Sequence, residues 1–501
     1  MLLLSARVLA ALTIVTSVVV SGASAGELGA NKFDLAGQYT APAPDGVDDA
    51  GYRLVRQAMA EKAIADARDA GLKFLRVGVT GYFPVNIGDK RNALAQWQSD
   101  PAAYWAGMDR MFDDLDRAGV RLVPSFLWQA GQFAALGKDS LETFVSDPKS
   151  PSRGLFTRYL GDFIGRYGKR RTILFYELGN EMNLLADLDL HGRCPKDRPP
   201  PCVWNHFSTA EMNAFARDVV GQIKSLDPSR QVDSGYAIPR PAAAHLVRHP
   251  AYAPGGPDWT PDTPAEFRDN LFSVNQSFDV ISVHIYPGKE NVRFGRTPGE
   301  EYKLVDDSEA AARQARKPLF IGEFGDEHGA TPFMTHMFDE IARQQVAYAA
   351  VWAWEFYQTS TYRTHDTSAT RFSIEPGYFD DVIPLLIKTE GRLGDAPPAR
   401  APTAVPRVVL TWPLPCAAID RPIEFSAVAS DGVEGVKSVE FLVDGKPVAT
   451  VPAPPYAATF DPGGLPAGSV TITARATGQT GRIAAFSSRV DVNGASGCGA
   501  R

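Results

Sequence analysis

Between residues 33 and 395, short apolar runs alternate with longer stretches whose apolar positions recur every three or four residues, the pattern of βα units. The strand-like runs fall at 33–39, 72–79, 121–128, 173–178, 232–238, 280–286, 319–324 and 349–355. Helical periodicity covers 52–70, 101–118, 153–168, 209–226, 306–315 and 332–345, while the Pro- and Ala-rich stretch 239–269 settles on no single period. Ala70-Gly71 and Ala118-Gly119 read as helix C-caps that lead straight into strands. Eight strands alternating with helices predict an α/β fold, a (β/α)8 barrel.

After Gly394 the pattern changes. D-A-P-P-A-R-A-P-T-A-V-P reads as a stiff Pro/Ala linker, and from Val408 onward the periodicity is two, with no helical stretch. Strand-like runs at 408–412, 423–429, 436–443, 448–451, 456–460, 470–476 and 484–492, with Asp444-Gly445 as a hairpin turn, predict a small all-β sandwich of immunoglobulin type. The chain therefore divides into a leader (1–25), a barrel (26–395), a linker (396–407) and a sandwich (408–501). The leader has Arg7, an apolar run from Val8 to Val20 and Ala23-Ser24-Ala25, the features of a secretory signal cleaved after Ala25. A secreted or periplasmic protein is expected.

Composition narrows the chemistry. The 501 residues carry a formal charge of −7 without long runs of one sign, which argues against nucleic acid or an anionic membrane as the main partner. No later segment is apolar enough to span a bilayer. Four cysteines fit an oxidising compartment, with Cys194 near Cys202 and Cys416 and Cys498 towards the two ends of the sandwich. Local pairing within each couple is the simplest of three connectivities. A zinc cluster of His191, Cys194, Cys202 and His206 is the competing reading, disfavoured by the wide Cys–Cys spacing and by export.

Two runs carry the candidate chemistry: Y-E-L-G-N-E-M-N at 176–183 and F-I-G-E-F-G at 320–325. Each is an apolar strand ending in a carboxylate, Glu181 and Glu323, and a barrel delivers all its strand ends to one mouth. Two carboxyls about 5 Å apart repel by roughly 3 kcal/mol at an effective dielectric of about 20, enough to keep one protonated while the other stays ionised. That is the division of labour needed to cleave a glycosidic bond, one of the two glutamates as acid and the other as nucleophile. Such catalysis needs no cofactor and no metal. The serine-hydrolase elbow pattern at 22–26 straddles the leader boundary, and neither a nucleotide loop nor a zinc-protease helix motif is present.

These residues resemble clan A of the glycoside hydrolases, most closely family 5, the cellulase and mannanase group. Asn180-Glu181 matches the Asn-Glu pair at the end of strand four, which implies that Glu181 is the acid/base, and Glu323 matches the nucleophile ending strand seven. Arg76 in F-L-R-V-G-V, His284 and Tyr286 in V-H-I-Y-P, and Trp352 or Trp354 in V-W-A-W-E-F match further elements in the same order. The resemblance implies that Arg76 holds the nucleophile ionised, Asn180 bonds a sugar 2-hydroxyl, His284 and Tyr286 position the pair, and a strand-eight Trp forms a sugar platform. It departs at strand three, where family members often place a His and this chain has Trp128. The implied function is a secreted, monomeric, retaining β-glycoside hydrolase of endo-β-mannanase or endo-β-glucanase type. Its alternatives are an exo-acting hydrolase of small β-glycosides or glycolipids, or a non-catalytic carbohydrate-binding barrel.

Overall fold

The computed structural model describes residues 26–43, 48–80, 93–191, 205–288, 293–356, 372–394 and 405–494. Eight parallel strands form one sheet: β1 (Glu27–Asn31), β2 (Phe74–Gly78), β3 (Arg121–Leu127), β4 (Tyr176–Gly179), β5 (Val232–Asp233), β6 (Ile281–Ile285), β7 (Leu319–Phe324) and β8 (Tyr348–Val351). The spatial order β5-β4-β3-β2-β1-β8-β7-β6 joins first to last through β1 and β8, and backbone bonds from Asp279 and Val280 to the Val232 carbonyl span the remaining seam. This is the expected (β/α)8 barrel. Helices between the strands are delimited by local chemistry. The helix Pro101–Ala118 starts with Asp100 accepting from the Ala103 N–H and Pro at the first turn, and ends at Gly119 with φ 71°.

The first strand lies earlier than expected, at Glu27–Asn31; the run around 33–39 instead contains α1 (Leu35–Thr40). Its apolar side chains are buried as a strand's would be, and a six-residue segment is too short for period to separate the two. The fifth strand shrinks to two residues and the eighth ends at Val351. Helix α2 (Asp49–Asp69) matches expectation closely. The ambiguous stretch after β5 resolves into two helices, Ala243–Arg248 and Pro264–Val274.

Inside the barrel, Phe74, Val123, Phe175, Val280, Phe320 and Ala350 form one apolar plug. Two residues further along β2 and β4 the same face carries Arg76 and Glu177, so the polar layer sits directly above the plug. Strand β7 departs from alternation. Val283 pairs with Ile321 but His284 pairs with Glu323, so Gly322 is an extra residue, a bulge that turns Glu323 to the inside. A Cβ on Gly322 would lie 2.7 Å from His284 Nε2, which is why glycine occupies the bulge.

The C-terminal region is all β, in two sheets. Strands β9 (Arg407–Trp412), β11 (Ile423–Ser430) and β14 (Tyr456–Phe460) form one; β10 (Ala418–Ile419), β12 (Ser438–Val443), β13 (Lys446–Val451), β15 (Gly468–Thr477) and β16 (Ile483–Val492) form the other. The Ig-like sandwich is thus observed, with β10 added to the expected strands. It packs on α2: Val409, Leu414 and Val428 close over Tyr52, Val55 and Met59. Arg407 pairs with Asp66 and Asp69, and the Ser430 hydroxyl donates to Asp66 at 2.9 Å. Cys416 is half-buried; its expected partner Cys498, the couple Cys194 and Cys202, the leader, and most of the linker lie outside the described residues. Among the described residues no helix is long and apolar enough to cross a membrane.

Candidate active site

Arg76 organises the mouth of the barrel. It is wholly buried, and its guanidinium donates through Nε to Glu177 at 2.7 Å, through Nη1 to Asn31 at 2.9 Å and to Glu323 at 2.7 Å, and through Nη2 to Asn180 at 2.9 Å. The ring of Trp128 lies beneath it, 4.6 Å away. Burial acts against the charge, but Glu177 and Glu323 more than offset it and hold the guanidinium above its ordinary pKa.

Both oxygens of Glu323 are held by donors. Oε1 accepts from Arg76, and Oε2 accepts from the Tyr286 hydroxyl at 2.7 Å. Burial, and then Glu323, push the Tyr286 phenol far up, so it remains a donor. Glu181 follows β4 with φ 53°, and its N–H donates to the Gly235 carbonyl at 2.9 Å. Gly235 permits that approach: with φ 67°, a Cβ there would lie 1.7 Å from the Gly179 carbonyl oxygen. Burial raises the Glu181 carboxyl above the ordinary range, opposed by Arg76 and Arg240. A third of its side chain remains open to the cleft.

His284 stands between the two glutamates. Its Nδ1 lies 3.0 Å from Glu181 Oε1 and 3.7 Å from Glu323 Oε2. Burial lowers its pKa to about 4, so the ring is neutral at higher pH. The closest oxygens of Glu181 and Glu323 and a ring nitrogen of His284 all lie within 4.8 Å of one another. One carboxyl with raised proton affinity faces another clamped by two donors, an arrangement able to deliver a proton on one side of a bond and a nucleophile on the other.

Seven of the expected residues therefore converge at the mouth: Arg76, Trp128, Asn180, Glu181, His284, Tyr286 and Glu323. The tryptophans divide. Trp352 is half-buried at the end of β8, stacked 4.7 Å from Phe33 and 6.1 Å from Trp128. It borders a recess that continues past Phe372, Tyr378 and Asp326. Trp128 is only 3 % exposed and forms the floor under Arg76. Trp354 is not brought to the group: it is fully buried against α2, with Nε1 donating to the Ala63 carbonyl at 2.9 Å. Alternation places it beside Trp352 only while the strand continues, and β8 stops at Val351.

Sequence reasoning missed Asn31, Glu177 and Asp233. Glu177 and Asp233 lie side by side on β4 and β5, both wholly buried. Burial, and then Glu177, hold Asp233 far above the carboxylate range, so it stays protonated next to the Glu177–Arg76 pair. A charged residue in mid-strand, as in Y-E-L-G, was the available signal. His191 and His206 have ring centroids 5.9 Å apart, but the cysteines between them lie outside the described residues.

The model of a bacterial Ig domain matches residues 406–474. No curated protein matches the chain. Among solved structures, the endo-β-1,4-mannanase of Thermotoga petrophila superposes with a TM-score of 0.49 at 16 % identity, covering 94 % of this chain and 98 % of that one. A glycoside hydrolase family 5 mannosidase of Rhizomucor miehei gives 0.45 at 14 %, covering 73 % and 92 %. A β-glucuronidase of Bacteroides uniformis gives 0.38 at 12 %, covering 94 % and 46 %. The chain thus has an endo-β-1,4-mannanase and a family 5 mannosidase among its structural neighbours and a bacterial Ig domain at its C-terminal end.

Proposed function

We propose that the protein is an exported β-glycoside hydrolase that cleaves a β-linked glycan, of mannan or glucan type, with retention of configuration. The observation that carries this reading is the pair of unequal carboxyls, Glu181 and Glu323, with oxygens within 4.8 Å. Retaining enzymes hold their two carboxyls about 5–5.5 Å apart, whereas inverting ones leave roughly 6.5–9.5 Å for a water.

Glu323, clamped by Arg76 and Tyr286, attacks the anomeric carbon while Glu181 gives its proton to the departing glycosidic oxygen. A glycosyl ester forms on Glu323 and the aglycone leaves as an alcohol. Glu181, now ionised, takes a proton from water, the water oxygen attacks the anomeric carbon, and the ester bond breaks. The Asn180 side-chain oxygen accepts from Arg76, which leaves its amide N–H groups for a sugar hydroxyl. Trp352 offers a half-exposed ring for a sugar face.

Reducing-sugar release from mannan, β-glucan and xylan tests this, comparing wild type with Glu323→Gln. Release from one polymer by the wild type, reduced at least a thousandfold in the variant, is expected. Release that survives in the variant contradicts the assignment, and absence of release from every polymer by the wild type rejects polymer cleavage.

A further inference from the structure

On the excursion after β5, a histidine is surrounded by carboxylates that the proposed chemistry does not use. His245 lies in the short helix Ala243–Arg248, Asp262 immediately precedes Thr263, the N-cap of the helix Pro264–Val274, and Glu266 lies in that helix's first turn. His245 Nε2 is 4.0 Å from Asp262 Oδ1 and 3.5 Å from Glu266 Oε1, and one donor atom from each of the three falls within 4.8 Å of the others.

Each residue has one atom anchored and another turned to the common centre. His245 Nδ1 faces Asp258 Oδ2 at 3.0 Å, and Asp258 itself is fixed by the Thr260 N–H at 2.9 Å. Asp262 Oδ2 accepts from the Ala244 N–H at 2.8 Å. Glu266 Oε2 accepts from the Thr263 N–H at 2.9 Å and its hydroxyl at 3.0 Å, completing a capping box. Asp262 supplies the independent sign of a missing partner: its side chain is fully buried, yet Oδ1 has no hydrogen-bond donor. A carboxylate oxygen buried in that state is costly unless a cation meets it.

We propose that His245 Nε2, Asp262 Oδ1 and Glu266 Oε1 bind one divalent transition-metal ion of zinc type. Tetrahedral zinc with bonds of about 2.0–2.2 Å separates its donors by roughly 3.3–3.6 Å. The His245–Glu266 separation of 3.5 Å lies in that range, and Asp262 at 4.0 Å from His245 has to draw in by a few tenths of an ångström. The imidazole selects such an ion over calcium or magnesium, and Asp258 on Nδ1 fixes the ring as the outer carboxylate of a metal-bound histidine does. His245 keeps 18 % of its side chain exposed, which leaves a side for water as the fourth ligand. Arg248 Nη2, 3.5 Å from Glu266 Oε1, is the competing cation the ion displaces. The ion ties the two helices of the excursion together. That excursion begins at Arg240, whose guanidinium donates to the Leu184 carbonyl just after Glu181.

The test is calorimetric titration of the chelator-treated full-length protein with zinc sulfate, together with thermal unfolding. One zinc per chain is expected at this site, raising Tm by several degrees. His245→Gln and Asp262→Asn should each weaken that event at least a hundredfold while far-UV circular dichroism and the metal-free Tm stay near wild type. His206→Gln, in the His191–His206 pair, and Glu323→Gln, in the cluster with Glu181 and His284, should leave it intact. Uptake that is absent in the wild type overturns the proposal. Uptake unchanged in both His245→Gln and Asp262→Asn overturns it too. The readout is independent of hydrolysis, so it stands or falls apart from the glycosidase reading.

Discussion

Arg76 and Glu323 meet through a 2.7 Å hydrogen bond at the mouth of the barrel, with the guanidinium wholly buried and the carboxylate nearly so. The bond is one of four that Arg76 makes to Asn31, Glu177, Asn180 and Glu323. A lysine ammonium has three donors on a single nitrogen and cannot meet four acceptors spread in a fixed plane. Arg76→Lys should lower kcat about a hundredfold with KM nearly unchanged. It should also lower Tm, because Glu177 loses its buried partner at a cost of about 3–5 kcal/mol. Steady-state kinetics and thermal unfolding check both; a kcat within twofold of wild type contradicts the role.

pH acts through His284 and Glu181 in opposite directions. His284 is depressed from 6.5 to about 4 by burial, so between those values the unfolded chain binds more protons than the folded one. Stability from this group is complete above about pH 6.5 and is lost as pH falls towards 4, a change of about 3 kcal/mol. Denaturant unfolding at pH 7 and pH 4 should show that loss, and His284→Gln should shrink it. Glu181 is raised, so activity should fall as pH rises through a value above the ordinary carboxyl range, the alkaline limb of kcat/KM.

Two neighbouring tryptophans should fail in different ways. Trp352→Ala removes a half-exposed ring from the cleft, and KM should rise about tenfold with little change in Tm. Trp354→Ala empties a fully buried site between β8 and α2 and should cost about 3–5 kcal/mol of stability. Kinetics and unfolding of both variants separate the roles; a raised KM with unchanged Tm for Trp354→Ala contradicts the placement.

The sandwich bears on barrel stability through Arg407, which pairs with the buried Asp66 beside Lys62. Arg407→Ala should destabilise the protein by about 1–3 kcal/mol and leave kcat unchanged below the transition. Thermal unfolding with activity measured at 25 °C tests this; unchanged Tm contradicts it.

The barrel was legible because its helices carry clear periods and caps: Pro101–Ala118 and Thr209–Leu226 fall at the expected boundaries. The first strand was not, since a short apolar run fits both periods. Glu181 and Glu323 stood out as carboxylates ending apolar runs. The bulge at Gly322 that turns Glu323 inward has no signature in periodicity, and strict alternation would have sent it outward. Glu177 and Asp233 carried only the mark of a charge within an apolar run, which does not give their role. Their significance comes from pairing across two strands and with Arg76, which local sequence does not encode. Trp354 was misplaced because alternation was extended past the end of β8.

In the proposed reaction Glu323 forms a bond to the sugar while Glu181 handles the proton. Proton NMR of the first product released from a β-linked glycan substrate tests it most directly. The β-anomer should appear first and convert to the equilibrium mixture only by mutarotation. An α-anomer as first product would mean that water attacked directly, and would contradict nucleophilic attack by Glu323.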